Sequence, residues 1–145
     1  MLEVGQAAPE FSVKSHKNTD VSLKDFRGKN VILYFYPKAD TPGCTAQGCG
    51  FRDRINKFEE KNTVVLGVSF DSVSENKAFA EKFQFPFLLL CDIEKKLGLA
   101  YGAIKTVDDK HASRIGYVID TQGKIKGAYP KVDAKAFPDQ MLALL

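Results

Sequence analysis

Two apolar runs with a helix-spaced segment between them dominate the hydrophobic pattern of the chain. Val31–Tyr36 is apolar or aromatic without interruption, and Thr63–Phe70 is a second, valine-rich run. Runs of this length are too short to cross a membrane, but they suit strands that are covered on both faces of a sheet. Strands joined by a helix pair in parallel. We therefore predict an α/β sheet in which Val31–Tyr36 is the central strand.

The segment between these two runs has the period of an amphipathic helix. Counted from Cys44, small or apolar residues recur three or four positions apart, which gives a helix one continuous face. These residues are Gly48, Phe51, Ile55 and Phe58. Pro37 cannot extend the strand, and the Thr-Pro-Gly sequence of residues 41–43 is typical of a turn and a helix start. Cys44 is therefore predicted to lie where a strand passes into a helix.

The rest of the pattern predicts further strands and helices in alternation. The predicted strands are Phe11–Lys14, Asp20–Leu23, Phe87–Leu90, Arg114–Ile119 and Lys124–Tyr129. The predicted helices are Val73–Phe83 with Ala78, Phe79 and Phe83 facing inward, Glu94–Tyr101, and a C-terminal helix that starts near Pro138 or, if kinked, near Asp133. This succession predicts a mixed central sheet flanked by helices, with an N-terminal hairpin extension, in one domain of residues 1–145.

Composition and charge narrow the possible function classes. The 145 residues are 44% hydrophobic and 27% charged, which is typical of a globular domain with a sizeable core. The net charge is +3, and the 21 basic residues are interspersed with 18 acidic ones, so no basic stripe favours nucleic acid as a partner. No apolar run approaches the roughly 20 residues of a spanning helix, and the N-terminus lacks the pattern of a signal peptide. We therefore expect a cytoplasmic protein that binds neither nucleic acid nor membrane.

Cys44 is the strongest candidate for a chemically reactive residue. Free N–H groups and the positive end of the helix dipole at a helix start both favour an anion, and the thiolate is the nucleophilic form of cysteine. The alternative is a buried cysteine that only packs, because free cysteine is among the most buried residue types.

Cys91 and the two histidines carry weaker signals. Cys91 directly follows three leucines, which indicates a buried structural residue. His16 and His111 each lie in a polar, turn-like setting, so we expect both on the surface. Two cysteines separated by four residues, with only isolated histidines elsewhere, make a poor tetrahedral zinc site.

Cys49 lies five residues after Cys44 on the predicted helix. In a regular helix this spacing places the two Cα atoms about 8 to 9 Å apart, whereas a disulfide requires less than about 7 Å. The two cysteines form a redox pair only if the first turns of the helix open. Gly48 and Gly50 flank Cys49 and each disfavours a helix by about 1 kcal/mol relative to alanine, so the segment is predicted to open readily.

The segment around Cys44 resembles part of a known protein family. The string YFYPKADTPGCTAQGCGFRD resembles the active-site segment of the peroxiredoxins, and within them the bacterioferritin comigratory protein or peroxiredoxin Q group, whose second cysteine lies five residues after the first. The peroxiredoxin pattern of proline, three residues, threonine, two residues and cysteine is met by Pro37, Thr41 and Cys44. The resemblance extends over nearly the whole chain, through VGQAAPEFSV, VSFDS and SRIGYVIDTQGKI.

The resemblance implies a thioredoxin fold and a thiol-dependent peroxidase acting on hydrogen peroxide and small organic hydroperoxides. It implies that Cys44 becomes a sulfenic acid, that Cys49 condenses with it to an intramolecular disulfide, and that thioredoxin or a similar dithiol reduces the disulfide. Thr41 would orient the peroxide, Pro37 would shield the site from water, and Arg114 would stabilise the thiolate and the transition state. No metal, flavin or haem is implied, and the expected assembly is a monomer or weak homodimer.

Two other functions remain open from the residues themselves. A thioredoxin-like disulfide oxidoreductase is less favoured, because its cysteines are separated by two residues whereas Cys44 and Cys49 are separated by four. The second alternative is a thiol-bearing binding module without turnover. Peroxide consumption in the presence of dithiothreitol distinguishes the peroxidase from both.

Overall fold

The computed structural model describes all 145 residues and contains a seven-stranded sheet. The strands are β1 (Ser12–Ser15), β2 (Asp20–Ser22), β3 (Asn30–Phe35), β4 (Thr63–Ser69), β5 (Leu88–Cys91), β6 (Gly116–Ile119) and β7 (Ile125–Tyr129). The helices are α1 (Pro42–Glu60), α2 (Val73–Phe83), α3 (Lys96–Ala100) and α4 (Phe137–Leu144), and a 3-10 turn, Leu23–Phe26, follows β2. The predicted mixed α/β sheet with an N-terminal hairpin is confirmed. None of the four helices combines the length and apolar composition that a bilayer crossing requires.

The strand order is β2-β1-β5-β4-β3-β6-β7. β3, β4 and β5 run parallel, because α1 and α2 connect them, whereas β6 is antiparallel to β3 and β1 is antiparallel to β5. The prediction that β3 is the central strand is wrong by one position. The N-terminal hairpin adds two strands beyond β5, so β4 becomes the middle of the sheet and β3 lies between β4 and β6.

The sheet separates two hydrophobic cores. Ile32 and Tyr34 of β3 point to the face covered by α1, α2 and α4, while Val31, Leu33 and Phe35 point to the other face with α3. This alternation explains why the whole strand is apolar. Cys44 belongs to the core on the α1 side.

Several predicted elements differ from the structure in detail. In α2, Ser72 and Glu75 form a capping box; Ala78, predicted to face inward, is exposed, and Asn76 and Ala80 are buried instead. The prediction placed only apolar residues on the inward face of α2 and was wrong because the polar Asn76 occupies part of that face. Arg114 lies just before β6 and not within it, and α4 starts at Phe137, which confirms the first of the two alternative starts.

The prediction that His16 lies on the surface is wrong. His16 is buried, whereas the exposed His111 is as predicted. The His16 Nδ1 atom accepts a hydrogen bond from the backbone N–H of Leu89 at 3.1 Å, and the His16 N–H donates to the Leu89 carbonyl at 2.8 Å. The turn-like sequence concealed this pairing with β5, which is distant in the chain. Burial, with a smaller contribution from Lys17, lowers the pKa of His16 below its ordinary value.

Candidate active site

The loop between β3 and α1 leaves free donors at the start of the helix. Thr41 is the N-cap, with an extended backbone, and its carbonyl accepts the first helical bond from Thr45 at 2.8 Å. Pro42 has no N–H, so the unpaired backbone donors of the first turn belong to Gly43 and Cys44. Both donors, together with the helix dipole, act on the Cys44 side chain and on an anion beside it.

The Thr41 hydroxyl does not cap these donors. It donates to the Lys38 carbonyl at 2.7 Å, and no side-chain cap is formed. A hydroxyl has one hydrogen and two acceptor lone pairs. Because its hydrogen is committed to Lys38, the Thr41 oxygen can only accept a hydrogen bond from another molecule. This geometry distinguishes Thr41 from an ordinary capping threonine.

Cys44 and Arg114 come together although they are 70 positions apart in the chain. The Arg114 Nη2 atom lies 3.4 Å from the Cys44 Sγ atom, and only 2% of Cys44 is exposed. The contact follows from the sheet: β6 is antiparallel to β3, so the residues before β6 lie beside the end of β3, where the loop to α1 begins. The predicted cation beside the thiol is therefore present.

Gln47 holds the Arg114 guanidinium from the other side. The Gln47 Oε1 atom accepts from Arg114 Nη1 at 2.7 Å, and the Gln47 side chain is completely buried. Arg114 forms no salt bridge with a carboxylate, so its charge is not neutralised by an acidic partner. The Gln47 Nε2 atom has no hydrogen-bond partner and is a spare buried donor in this cluster. Sequence reasoning missed Gln47, although it lies three positions after Cys44 and so shares its helix face.

Gly43 is a second residue that sequence reasoning did not single out. A Cβ atom at this position would lie 2.9 Å from Arg114 Nη2, which is closer than real Cβ atoms approach other heavy atoms. The absence of a side chain therefore lets the guanidinium reach Cys44.

Cys49 lies on the same continuous helix as Cys44, and both thiols are free. The structure does not join them in a disulfide, and Cys49 is only partly buried. The two glycines beside Cys49 have packing roles: a Cβ on Gly48 would lie 2.4 Å from Phe85 Cζ, and one on Gly50 would lie 2.8 Å from Pro138 Cγ. The interpretation of these glycines as helix-weakening residues is therefore incomplete, because both also allow close contacts.

Cys91 is buried, as predicted from the preceding leucines, with 4% of the residue exposed. The Asn76 Nδ2 atom donates to its Sγ atom at 3.4 Å. Burial raises the pKa of the Cys91 thiol, which opposes formation of a thiolate. Pro37, the remaining predicted site residue, lies in the loop between β3 and Thr41 and is half-buried.

Comparisons with known proteins find a family and relatives that match most of the chain. The model of the AhpC/TSA family matches residues 4–128. A putative peroxiredoxin Bcp of Coxiella burnetii is 42% identical over 136 residues, which cover 90% of each chain. The chloroplastic peroxiredoxin Q of Populus jackii is 41% identical over 125 residues, covering 86% of this chain and 59% of the relative. A structure of the bacterioferritin comigratory protein of Xanthomonas campestris superposes with a TM-score of 0.90 and 27% identity, over 98% of this chain and 96% of the other.

Proposed function

Because the chain belongs to the AhpC/TSA family of peroxiredoxins, in its Bcp and peroxiredoxin Q group, and is therefore a thiol peroxidase, we propose that Cys44 is the residue that attacks the peroxide. The observation that carries this proposal is the 3.4 Å contact between Arg114 Nη2 and Cys44 Sγ at the start of α1. The guanidinium and the free N–H groups of the first turn both stabilise a thiolate there. The thioredoxin-like fold that the resemblance implies is confirmed for this chain.

In the first step, the Cys44 thiolate attacks the oxygen of the hydroperoxide that carries hydrogen. The S–O bond forms as the O–O bond breaks, Cys44 becomes a sulfenic acid, and the departing alkoxide or hydroxide takes up a proton to give an alcohol or water. Thr41 accepts the hydrogen bond of the attacked O–H group, and its 2.7 Å bond to Lys38 fixes the direction of its lone pairs. Arg114 and the backbone donors stabilise the negative charge that develops on the oxygens.

In the second step, the Cys49 thiol attacks the sulfenic sulfur and water leaves, which forms an intramolecular disulfide with Cys44. A dithiol reductant such as thioredoxin then supplies two electrons and restores both thiols. The five-residue spacing on α1 requires the first turns of the helix to unwind before the sulfur atoms meet. Pro37 restricts the loop next to the site and limits the access of water.

Both hydrogen peroxide and small organic hydroperoxides fit this mechanism, because only the O–O–H group contacts the proposed residues. The Xanthomonas campestris relative has alkyl peroxide reduction activity. We place the reaction in a reducing compartment, the cytoplasm, and expect a monomer or weak homodimer. Cell fractionation and analytical ultracentrifugation test these two expectations.

Peroxide consumption with dithiothreitol, and then with thioredoxin as the reductant, tests the function. We expect the parent protein and Cys91→Ser to consume peroxide and Cys44→Ser to be inactive. Cys49→Ser should still form the sulfenic acid, which dimedone traps, but should lose turnover with thioredoxin. Turnover by Cys44→Ser would refute the assignment of Cys44. A protein that reduces disulfides but consumes no peroxide would instead be a disulfide oxidoreductase.

A further inference from the structure

A buried hydrogen-bond chain connects the end of β4 to the loop that carries Thr41. The Asp71 Oδ2 atom accepts from Ser69 Oγ at 2.7 Å, and Asn76 Nδ2 donates to the same Ser69 oxygen at 3.1 Å. The Tyr36 hydroxyl donates to Asn76 Oδ1 at 2.6 Å. Ser69 and Asn76 are completely buried, and Tyr36 is 1% exposed. None of these contacts has a role in the mechanism described above.

The Asp71 carboxylate sets the direction of every bond in this chain. An ionised carboxylate only accepts, so the Ser69 hydroxyl must donate to it and can then only accept from its other neighbour. That neighbour is Asn76, which must turn its amide nitrogen toward Ser69. The Asn76 oxygen then faces Tyr36, so the Tyr36 hydroxyl is the donor. The second Asn76 amide hydrogen reaches Cys91. All the hydrogens of the four polar side chains are therefore used in one arrangement.

The same Asp71 oxygen also holds the active-site loop. It accepts the backbone N–H of Ala39 at 2.8 Å. This N–H belongs to the peptide group between Lys38 and Ala39, whose carbonyl oxygen is the Lys38 acceptor of the Thr41 hydroxyl. In a trans peptide the N–H and C=O bonds point in opposite directions within one rigid plane. Asp71 on one side of this plane therefore determines where the carbonyl on the other side points.

The geometry points to Asp71 as a positioning residue for peroxide reduction, acting through the Lys38–Ala39 peptide on the Thr41 hydroxyl. Without the carboxylate, the peptide plane is free to rotate, the Lys38 carbonyl no longer fixes the Thr41 hydrogen, and the Thr41 lone pairs lose their orientation toward the substrate. At the other end of the hydrogen-bond chain, the Tyr36 hydroxyl donates to Asn76. The loop is therefore held by hydrogen bonds both before Pro37, at Tyr36, and after it, at Ala39. This inference rests on the proposed function of Cys44 and Thr41.

A double-mutant cycle between Asp71 and Thr41 tests the inference, because two residues that act through one contact have non-additive effects. Asp71→Ala should slow the reaction of Cys44 with peroxide about tenfold, whereas in a Thr41→Val background the same change should have less than about a twofold effect. Asp71→Asn keeps an acceptor oxygen and should recover most of the parent rate. Asp40→Asn is the matched control, since Asp40 lies in the same loop and bonds only the exposed Lys82, and it should change the rate less than about twofold.

Alkylation of Cys44 by iodoacetamide separates positioning from general damage. This reaction uses the thiolate but needs no acceptor at Thr41, so its rate and pH profile in Asp71→Ala should match the parent protein while the peroxide rate falls. Equal losses in both reactions, or effects of Asp71→Ala and Thr41→Val that simply multiply, would overturn the inference. If Asp71→Ala fails to fold, Asp71→Leu, of similar shape and without an acceptor, takes its place in the cycle. A parent protein that consumes no peroxide would instead refute the proposed function.

Discussion

Replacement of Gly48 by alanine separates two opposing effects on the opening of α1. Helix propensity alone favours alanine by about 1 kcal/mol, so it predicts a tighter helix, slower disulfide formation and a longer-lived sulfenic acid. Packing predicts the opposite, because the new Cβ would lie 2.4 Å from Phe85 Cζ and 2.9 Å from Cε2. The closed helix would have to accommodate this overlap, whereas the open segment would not.

Phe85 has little room to move away. Its ring stacks on Phe87 with centroids 5.1 Å apart and on Phe83 at 6.0 Å, and it meets the edge of Phe79 at 5.0 Å. Overpacking in such a site costs about 1–3 kcal/mol. Subtracting the helix-propensity gain leaves the closed state less stable by about 0–2 kcal/mol, which raises the open population up to about thirtyfold. Gly48→Ala should therefore form the disulfide at least as fast as the parent and be less prone to sulfinic acid formation.

Single-turnover rapid quench with mass spectrometry measures this prediction, because the chain has no tryptophan for a fluorescence signal. Ala46→Gly is the matched control: it lies on the exposed side of the same turn, so it changes propensity alone and should speed disulfide formation about fivefold. Combining Gly48→Ala with Phe85→Leu removes the overlap, so only propensity remains and disulfide formation should become slower than in Phe85→Leu alone. A fivefold slower second step in Gly48→Ala alone would refute the packing argument.

Three further predictions follow from the site and the core. Cys44→Ser should abolish peroxide turnover. Cys91→Ser should keep turnover within about twofold of the parent, because a serine hydroxyl can accept the Asn76 hydrogen bond. Coupled peroxide assays measure both variants. Arg114→Ala should slow the peroxide step by about one to three powers of ten, because the cation beside the Cys44 sulfur is lost, and single-turnover peroxide kinetics measure this. Full activity in this variant would exclude Arg114 from the site. Burial lowers the pKa of His16 below its ordinary value of 6.5, so at acidic pH the unfolded state binds more protons than the folded state. The free energy of unfolding, measured with urea, should therefore be full above about pH 6.5 and fall as the pH decreases. His16→Gln should lack this component.

The local part of the site could be predicted from the sequence because it is carried by one short segment. Pro37, Thr41 and Cys44 follow each other through a strand end, a turn and a helix start, and each of these elements has a local chemical signature. The order of helices and strands was equally accessible from periodicity. The position of β3 within the sheet was not, because it depends on where a distant hairpin pairs.

The rest of the site depends on contacts between distant parts of the chain. Arg114 was identified only through the family resemblance, since nothing near it in the sequence indicates that the start of β6 faces the start of α1. Asp71 and Asn76 resemble ordinary turn and helix residues, and their roles arise only when β4 and α2 lie beside the loop after β3. Residues whose partners are 30 or more positions away, as Ala39 is from Asp71, leave no local pattern.

The two proposed chemical steps, attack on peroxide and disulfide formation, make opposite demands on the same end of α1. Attack on peroxide requires the first turn of α1 to be formed, because only then do its free N–H groups and the helix dipole act at Cys44. Disulfide formation requires that turn to be lost. Unwinding has a natural limit after Gly50, since the Arg54 side chain bonds both the Gly50 carbonyl and Asp139 of α4, and Phe51 is completely buried. A variant that favours opening should therefore speed the second step in proportion to the open population. It should slow the first step only when the open form becomes a large fraction of the protein, so moderate substitutions between Thr45 and Gly50 should change the second rate and leave the first nearly unchanged.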